Sequence, residues 1–227
     1  MENKQSKFTN FILYSYWRAS CAYRVRLALN MKNIEYKMKY INLLKSEHKD
    51  KHYEDINLFG RIPTLEFTEV TSDNKEIKHK LVESNAIIDF LEEAFPDSYN
   101  LYPKDIVKKH EVKSLVSHIA CNIHPLQNLN TLKYVDSLGV DKMKFAFHFV
   151  HENLAKVDQL LSKTKGKYCF GDKVTAADCF LIPQLYFCKR FNESLDNYSN
   201  IVEVQKNLEK LEEFKKAAPE NQEDAVK

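Results

Sequence analysis

Phe11-Ile12-Leu13-Tyr14 is an unbroken apolar and aromatic run of the length a buried strand needs. A break at Ser15–Ser20 follows. From Cys21 to Met31 the apolar positions Val25, Ala28 and Leu29 then recur on one helical face. Tyr36–Ile41 alternates and reads as a second strand, and the charged stretch Lys45–Tyr53 has weak helical character. Ile62–Phe67 is a strand entered through Pro63, with Lys75–Val82 as its hairpin partner across the polar turn Thr71-Ser72-Asp73-Asn74. Ser84 is placed to cap a helix carrying Ile87, Ile88 and Leu91, which must stop before Pro96. The predicted order is β-α-β-α-β-β-α.

Beyond this point the pattern is helical throughout. Periodic segments run over Val112–Asn122, Leu126–Tyr134, Lys142–Leu161, Ala176–Lys189 and Ile201–Phe214. The expected organisation is an α/β domain over residues 8–95, a proline-bounded linker over 96–104 and an all-α domain over 105–227. Thr175 and Asp178 have capping-box spacing at the start of one helix. The polar residues from Pro219 onward read as a frayed end.

Composition narrows the function classes. The 227 residues carry 34 Lys+Arg against 32 Asp+Glu, so no strong field selects nucleic acid or an anionic membrane. The stretch Met1–Asn10 lacks the apolar core of a signal peptide, and no apolar run approaches a membrane span. Five scattered cysteines without a CxxC pair point to a reducing, cytoplasmic setting, where sequons at Asn192 and Asn197 would be idle. The four glycines form no dinucleotide fingerprint. Gly166 and Gly171 have P-loop spacing, but Asp172-Lys173 follows them instead of Lys-Ser/Thr. His48 and His52 are four apart, yet the glutamate of a metalloprotease helix and a third ligand are both missing, so no metal is expected.

Three places carry chemistry. In Tyr14–Arg24 a strand gives way to a helix with Ser20 and Cys21 at its start, where unpaired N–H groups and the helix dipole favour an anion. Either Ser20 donates to a bound thiolate, or Cys21 is itself acidified, or Ser20 caps the helix and Cys21 packs. In Gly60-Arg61-Ile62-Pro63-Thr64, a cis proline would present the Ile62 backbone to an extended peptide, although most X-Pro bonds are trans. In Glu83-Ser84-Asn85, helix amides can receive a carboxylate while Glu83 meets an ammonium. A thiol site, a backbone edge, and paired carboxylate and ammonium sites together match the parts of glutathione.

With these residues in view, the chain resembles the glutathione transferases, and within them the zeta class, the maleylacetoacetate isomerases. Arg18-Ala19-Ser20-Cys21-Ala22-Tyr23-Arg24-Val25-Arg26 is similar to the zeta-class Ser-Ser-Cys signature, Pro125–Leu129 to a second motif, and Gly171–Asp178 to a folding motif of the wider superfamily. The likeness spans about Phe11–Phe214. It implies a glutathione transferase fold, with a thioredoxin-like N-terminal domain and an all-α C-terminal domain, assembled as a homodimer. It also implies glutathione as coenzyme and a small dicarboxylate substrate.

The implied roles follow. Ser20 stabilises the glutathione thiolate, with Ala19, Cys21, Ala22, Tyr23 and Arg24 around it. Ile62 pairs with the cysteinyl unit, Glu83 and Ser84 hold the γ-glutamyl end, and His48 reaches the glycyl end. His124, Asn128, Leu129 and Asn130 contribute from the helical domain, and Arg190 holds a substrate carboxylate. Ala19 stands where the family has the first serine of its pair, leaving Ser20 as the hydroxyl donor. His124 and Glu83 stand where glutamines are usual, Leu58 replaces a customary proline, and the Thr71–Lys80 hairpin is longer than typical.

The implied activity is glutathione-dependent conversion of maleylacetoacetate to fumarylacetoacetate in phenylalanine and tyrosine breakdown. Thiolate addition, bond rotation and elimination return the coenzyme. The alternatives are a general glutathione transferase or α-haloacid dehalogenase, thiol transfer through Cys21, and a non-catalytic interaction module.

Overall fold

The structure is a computed structural model describing residues 7–226; residues 1–6 of the polar Met1–Asn10 stretch, and Lys227, lie outside the described residues. The chain divides into two units, one of residues up to Asn100 together with those from Glu212 onward, the other Leu101–Leu211.

In the first unit the aromatic run becomes β1 (Phe8–Ser15), followed by α1 (Ser20–Met31) and β2 (Lys37–Tyr40). The charged stretch yields only a short 3-10 turn, Glu47–Lys49, and the single-turn α2 (Lys51–Glu54). The hairpin β3 (Thr64–Val70) and β4 (Glu76–Val82) leads into α3 (Ser84–Ala94). The β-α-β-α-β-β-α order is the expected one. Strands lie in the order β2-β1-β3-β4, with β1 and β2 parallel and the other pairs antiparallel. A register irregularity in β1 between Thr9 and Ile12 coincides with Asn10 at φ 54°, the left-handed conformation found in one type of bulge. Leu13 and Leu65 on the sheet are fully buried, as are Val25, Ala28 and Leu29 of α1 and Ile87, Ile88 and Leu91 of α3. Phe67 stacks on Phe90 at 4.6 Å and meets Phe8 edge-on at 5.5 Å.

The second unit is helical. It contains α4 (Ile106–His118), a π-helical turn over Ile119–Ile123, and a 3-10 turn over His124–Gln127. Then come α5 (Leu129–Ser137), α6 (Lys142–Thr164), α7 (Ala176–Arg190) and α8 (Ser199–Leu208). The helix expected over Leu126–Tyr134 therefore starts later, because Asn128 caps it by accepting from the Asn130 N–H at 2.9 Å. α7 is apolar on nearly every side and buried along most of its length, which makes it the core helix of the unit. The Thr175–Asp178 capping box is present at its start. No helix among the described residues is long and apolar enough to cross a membrane.

The C-terminal end departs from expectation twice. The helix predicted over Ile201–Phe214 breaks after Leu208, and α9 (Glu212–Ala217) belongs to the first unit, against α1. The reason is a set of long-range bonds: Asn30 Nδ2 donates to Glu213 O at 3.0 Å, and Arg26 Nε donates to Ala217 O at 3.0 Å. The described residues beyond, 219–226, are not frayed. Pro219–Asn221 form a 3-10 turn, and Asp224 accepts from the Trp17 N–H at 2.9 Å.

Candidate active site

Strand register gathers the candidate loops of the first unit. Tyr14 at the end of β1 pairs with Thr64 at the start of β3, Thr64 pairs with Val82 at the end of β4, and Ser15 pairs with Tyr40 at the end of β2. The segments holding Ser20–Cys21, His48, Ile62 and Glu83–Ser84 thus all leave or enter the sheet at the same end.

α1 begins at Ser20, and Ala19 is its N-cap residue without a side-chain capping bond. The first-turn N–H groups have no intrahelical acceptors, and the Ser20 hydroxyl is not spent as the cap. Cys21 and Arg24 are three apart on one helix face, and the Arg24 guanidinium lies 3.7 Å from Cys21 Sγ. The same guanidinium nitrogen donates to Ser84 Oγ at 3.3 Å, and Arg24 is only 2% exposed. Arg24 therefore ties the thiol end of the site to the start of α3. Ala22 and Tyr23 are buried as well.

Ser84 is not the cap of α3. It is the first helical residue, and the N-cap is Glu83, held at φ 67° and ψ 117°. A non-glycine residue there costs on the order of 1–3 kcal/mol and persists only where surroundings impose it, commonly at functional sites. The Glu83 side chain is exposed at this corner.

The Ile62–Pro63 bond is cis. The preceding loop is pinned from α2 and the turn after it: Tyr53 OH and Asn57 Nδ2 donate to Arg61 O at 2.7 and 2.6 Å, and Thr64 Oγ1 sits 3.0 and 3.1 Å from the same two groups. Gly60 (φ +54°) packs so closely that a Cβ would stand 2.9 Å from the carbonyl oxygen of buried His48. Tyr53 and Asn57 carry no motif, and sequence reasoning missed them.

In the second unit, His124 and Asn128 are half-buried, and Leu129 and Asn130 are exposed. Gln127, between them, exchanges two hydrogen bonds with Gln184 of α7 at 3.2 and 2.8 Å, both residues being buried. The Pro125–Leu129 motif thus contains a structural clasp that sequence reasoning did not separate from the site residues. Arg190 is exposed at the C-terminal end of α7, its guanidinium carbon 4.8 Å from the Phe191 ring centroid. His151 bridges Tyr198 and Glu193, both at 2.8 Å, so it is engaged in the core edge.

The thiols divide sharply. Burial pushes Cys188 up to about 12 and Cys169 well above its usual range, while Cys21 is half-buried and Cys121 exposed. None of the five is in a disulfide, and no group of three or more potential metal ligands occurs among the described residues.

Comparison with known proteins bears on the fold and the family. The family described as the glutathione S-transferase N-terminal domain matches residues 19–94, and that described as the C-terminal domain matches residues 130–217. Probable maleylacetoacetate isomerase 2 of Drosophila melanogaster is 39% identical over 225 residues, covering 98% of this chain and 93% of that one. Maleylacetoacetate isomerase of Mus musculus is 36% identical, covering 94% of each. A crystal structure of maleylacetoacetate isomerase from Anaeromyxobacter dehalogenans, with GSH bound in the active site, superposes with a TM-score of 0.86. It is 32% identical and covers 98% of this chain and 100% of that one. With signature, fold and near full-length similarity in agreement, the chain belongs to the maleylacetoacetate isomerases, the zeta class of the glutathione transferases.

Proposed function

We propose that the protein is a glutathione-dependent cis–trans isomerase converting maleylacetoacetate to fumarylacetoacetate. The observation that carries this reading is the Cys21–Arg24–Ser84 connection at the end of the sheet where Ser20, Ile62 and Glu83 also lie. These residues fit a γ-glutamyl peptide thiol. The α1 N-terminus and the Ser20 hydroxyl would hold a thiolate, Ile62 would pair backbone to backbone, and Glu83 would meet the ammonium. The amides opening α3, with Ser84, would take the adjacent carboxylate. His48 would serve the glycyl end.

When bound, glutathione supplies a thiolate whose reversible addition makes the substrate double bond a single bond able to rotate. The chain's part is to keep that sulfur anionic through Ser20 and the helix dipole, and to hold the substrate while it turns. Arg190 would hold a substrate carboxylate as a charge-assisted partner. His124, Asn128, Leu129 and Asn130 would add contacts from the helical unit.

The test is turnover of maleylacetoacetate or its analogue maleylacetone with and without glutathione, with total thiol measured throughout. Isomerisation that needs glutathione and leaves its concentration constant supports the reading, and equal rates without it would overturn the mechanism. The Arg24–Cys21 contact favours one second reading, thiol transfer with Cys21 as nucleophile, which predicts consumption of glutathione against a disulfide. The family likeness extends to a homodimer, for which exposed Leu58 and Phe59 offer apolar surface; sedimentation velocity checks it. Five cysteines without a disulfide suit a cytoplasmic setting.

A further inference from the structure

The loop that delivers Ser20 to the start of α1 is held by residues far from it in sequence. Arg26, nearly two turns into α1, is fully buried. Its guanidinium donates to Ser15 Oγ at 3.1 Å, to Trp17 O at 2.9 Å and to Ala217 O at 3.0 Å, and it lies 5.1 Å from the Tyr23 ring centroid. One side chain thereby joins the end of β1, the loop and the end of α9. Asp224 approaches the same loop from the C-terminal side and accepts from the Trp17 N–H at 2.9 Å. Its neighbour Glu223 accepts from Tyr40 OH at 3.0 Å, at the end of β2. The intervening residues are braced too, since Gln222 Nε2 donates to Lys216 O and Ala218 O, both at 2.9 Å. Trp17 thus has its N–H and its carbonyl both held, three residues before Ser20.

We propose that residues 217–224 form a strap that is a working part of the thiol site, with Arg26 and Asp224 as positioning residues that set the Tyr16–Ala19 loop and, through it, the first turn of α1. The proposal rests on the functional reading above insofar as that turn receives glutathione. Charge supports the geometry. A buried guanidinium is costly unless compensated. Burial pulls Arg26 down to about 10, while Tyr36, Tyr23, Asp224 and Tyr40 push it back, Asp224 being the carboxylate among them. Asp224 therefore serves the loop twice, as acceptor for Trp17 and as counter-charge for Arg26.

Trp17 is the sole tryptophan of the chain, so its fluorescence reports the loop directly. The experiment uses full-length Asp224→Ala and Asp224→Asn. It reads acrylamide quenching of Trp17, KM for glutathione, kcat, and the pH dependence of bound-thiolate absorbance. Loss of one bond with a charged partner predicts about a ten-fold rise in KM for glutathione in the Ala variant. Trp17 should become at least about two-fold more quenchable, and the bound thiol should ionise at higher pH. Asn keeps a neutral acceptor for the Trp17 N–H and should recover part of both effects.

A variant that melts earlier yet keeps wild-type quenching, KM and thiolate profile would show a merely structural tail and overturn the assignment. If Asp224→Ala does not fold, Tyr40→Phe loosens the strap through Glu223. It should move quenching and KM the same way by about two-fold, and no movement in either would overturn the proposal. A wild-type chain that ignores glutathione would sink the functional reading instead, and Trp17 shielding would still decide whether the strap fixes the loop.

Discussion

Asp178→Ala is expected to cost the helical unit about 2–4 kcal/mol. The carboxylate is fully buried and accepts from the Thr175 N–H at 2.7 Å, the Thr175 hydroxyl at 2.9 Å and the Cys169 N–H at 2.9 Å, with the Cys169 thiol donating to it as well. After truncation the hydroxyl can rotate to another acceptor, but the backbone donors of Thr175, at the N-cap of α7, and of Cys169, in the turn before it, are fixed by the chain. Each orphaned buried donor costs about 1–3 kcal/mol, giving roughly 2–6 kcal/mol for the pair. Part is returned, because burial already penalises this carboxylate and holds its pKa above the usual value. The remainder is a large fraction of a typical stability of about 5–15 kcal/mol. Urea unfolding followed by far-ultraviolet circular dichroism measures it as a drop in midpoint at constant slope. Asp178→Asn should rescue only partly, since one amide oxygen cannot serve both segments. A loss below about 1 kcal/mol in the Ala variant, the scale of an ordinary exposed cap, would refute the argument.

Other outcomes follow from the site. Ser20→Ala should raise the pKa of bound glutathione by about 1–2 units and cut turnover about ten- to hundred-fold near neutrality. Cys21→Ala should keep much of the activity, and the opposite pattern in thiolate absorbance and turnover would transfer the nucleophile to Cys21. Arg190→Ala should raise KM for the dicarboxylate about ten-fold or more while leaving that for glutathione nearly unchanged; steady-state kinetics in both substrates reads this. Brief treatment with iodoacetamide in native buffer should label Cys121 and Cys21 and spare Cys169, Cys179 and Cys188, as peptide mass spectrometry will show.

Local pattern made much of this molecule legible. Apolar runs and turn residues are enough to order the strands and helices of the first unit, and Thr175 with Asp178 announces the start of α7 because a capping box is complete within four residues. The same logic fails at Ser20 and Ser84. Both stand where a capping serine belongs, yet Ala19 and Glu83 are the N-cap residues, and Ser84 instead accepts from Arg24, sixty positions away. In α1, Val25, Ala28 and Leu29 advertise one buried face. Burial in fact extends to Arg24 and Arg26, because their partners come from other segments that periodicity cannot see. Two arginines inside Ala22–Ala28 are the one local hint that charges there would be buried and paired. The helical reading of Ile201–Phe214 failed for a related reason: the break after Leu208 carries no proline or glycine, and the destination of α9 is set by bonds to Asn30 and Arg26.

The placement of α9 and the strap also sets an order of events during synthesis. Leu101–Leu211 is continuous in the chain and has its own buried helix in α7, so it can close as soon as it clears the ribosome. The unit with the sheet is emitted first but completed last: until residues 217 and 224 emerge, Arg26 has no Ala217 carbonyl to donate to and Trp17 no Asp224 carboxylate. A chain stalled before residue 212 would thus present a finished helical unit behind an unfinished sheet unit. The Trp17 loop would gain these distant holds only once residues 217 to 224 have emerged, and a premature stop before them would unfasten a loop encoded about two hundred positions upstream.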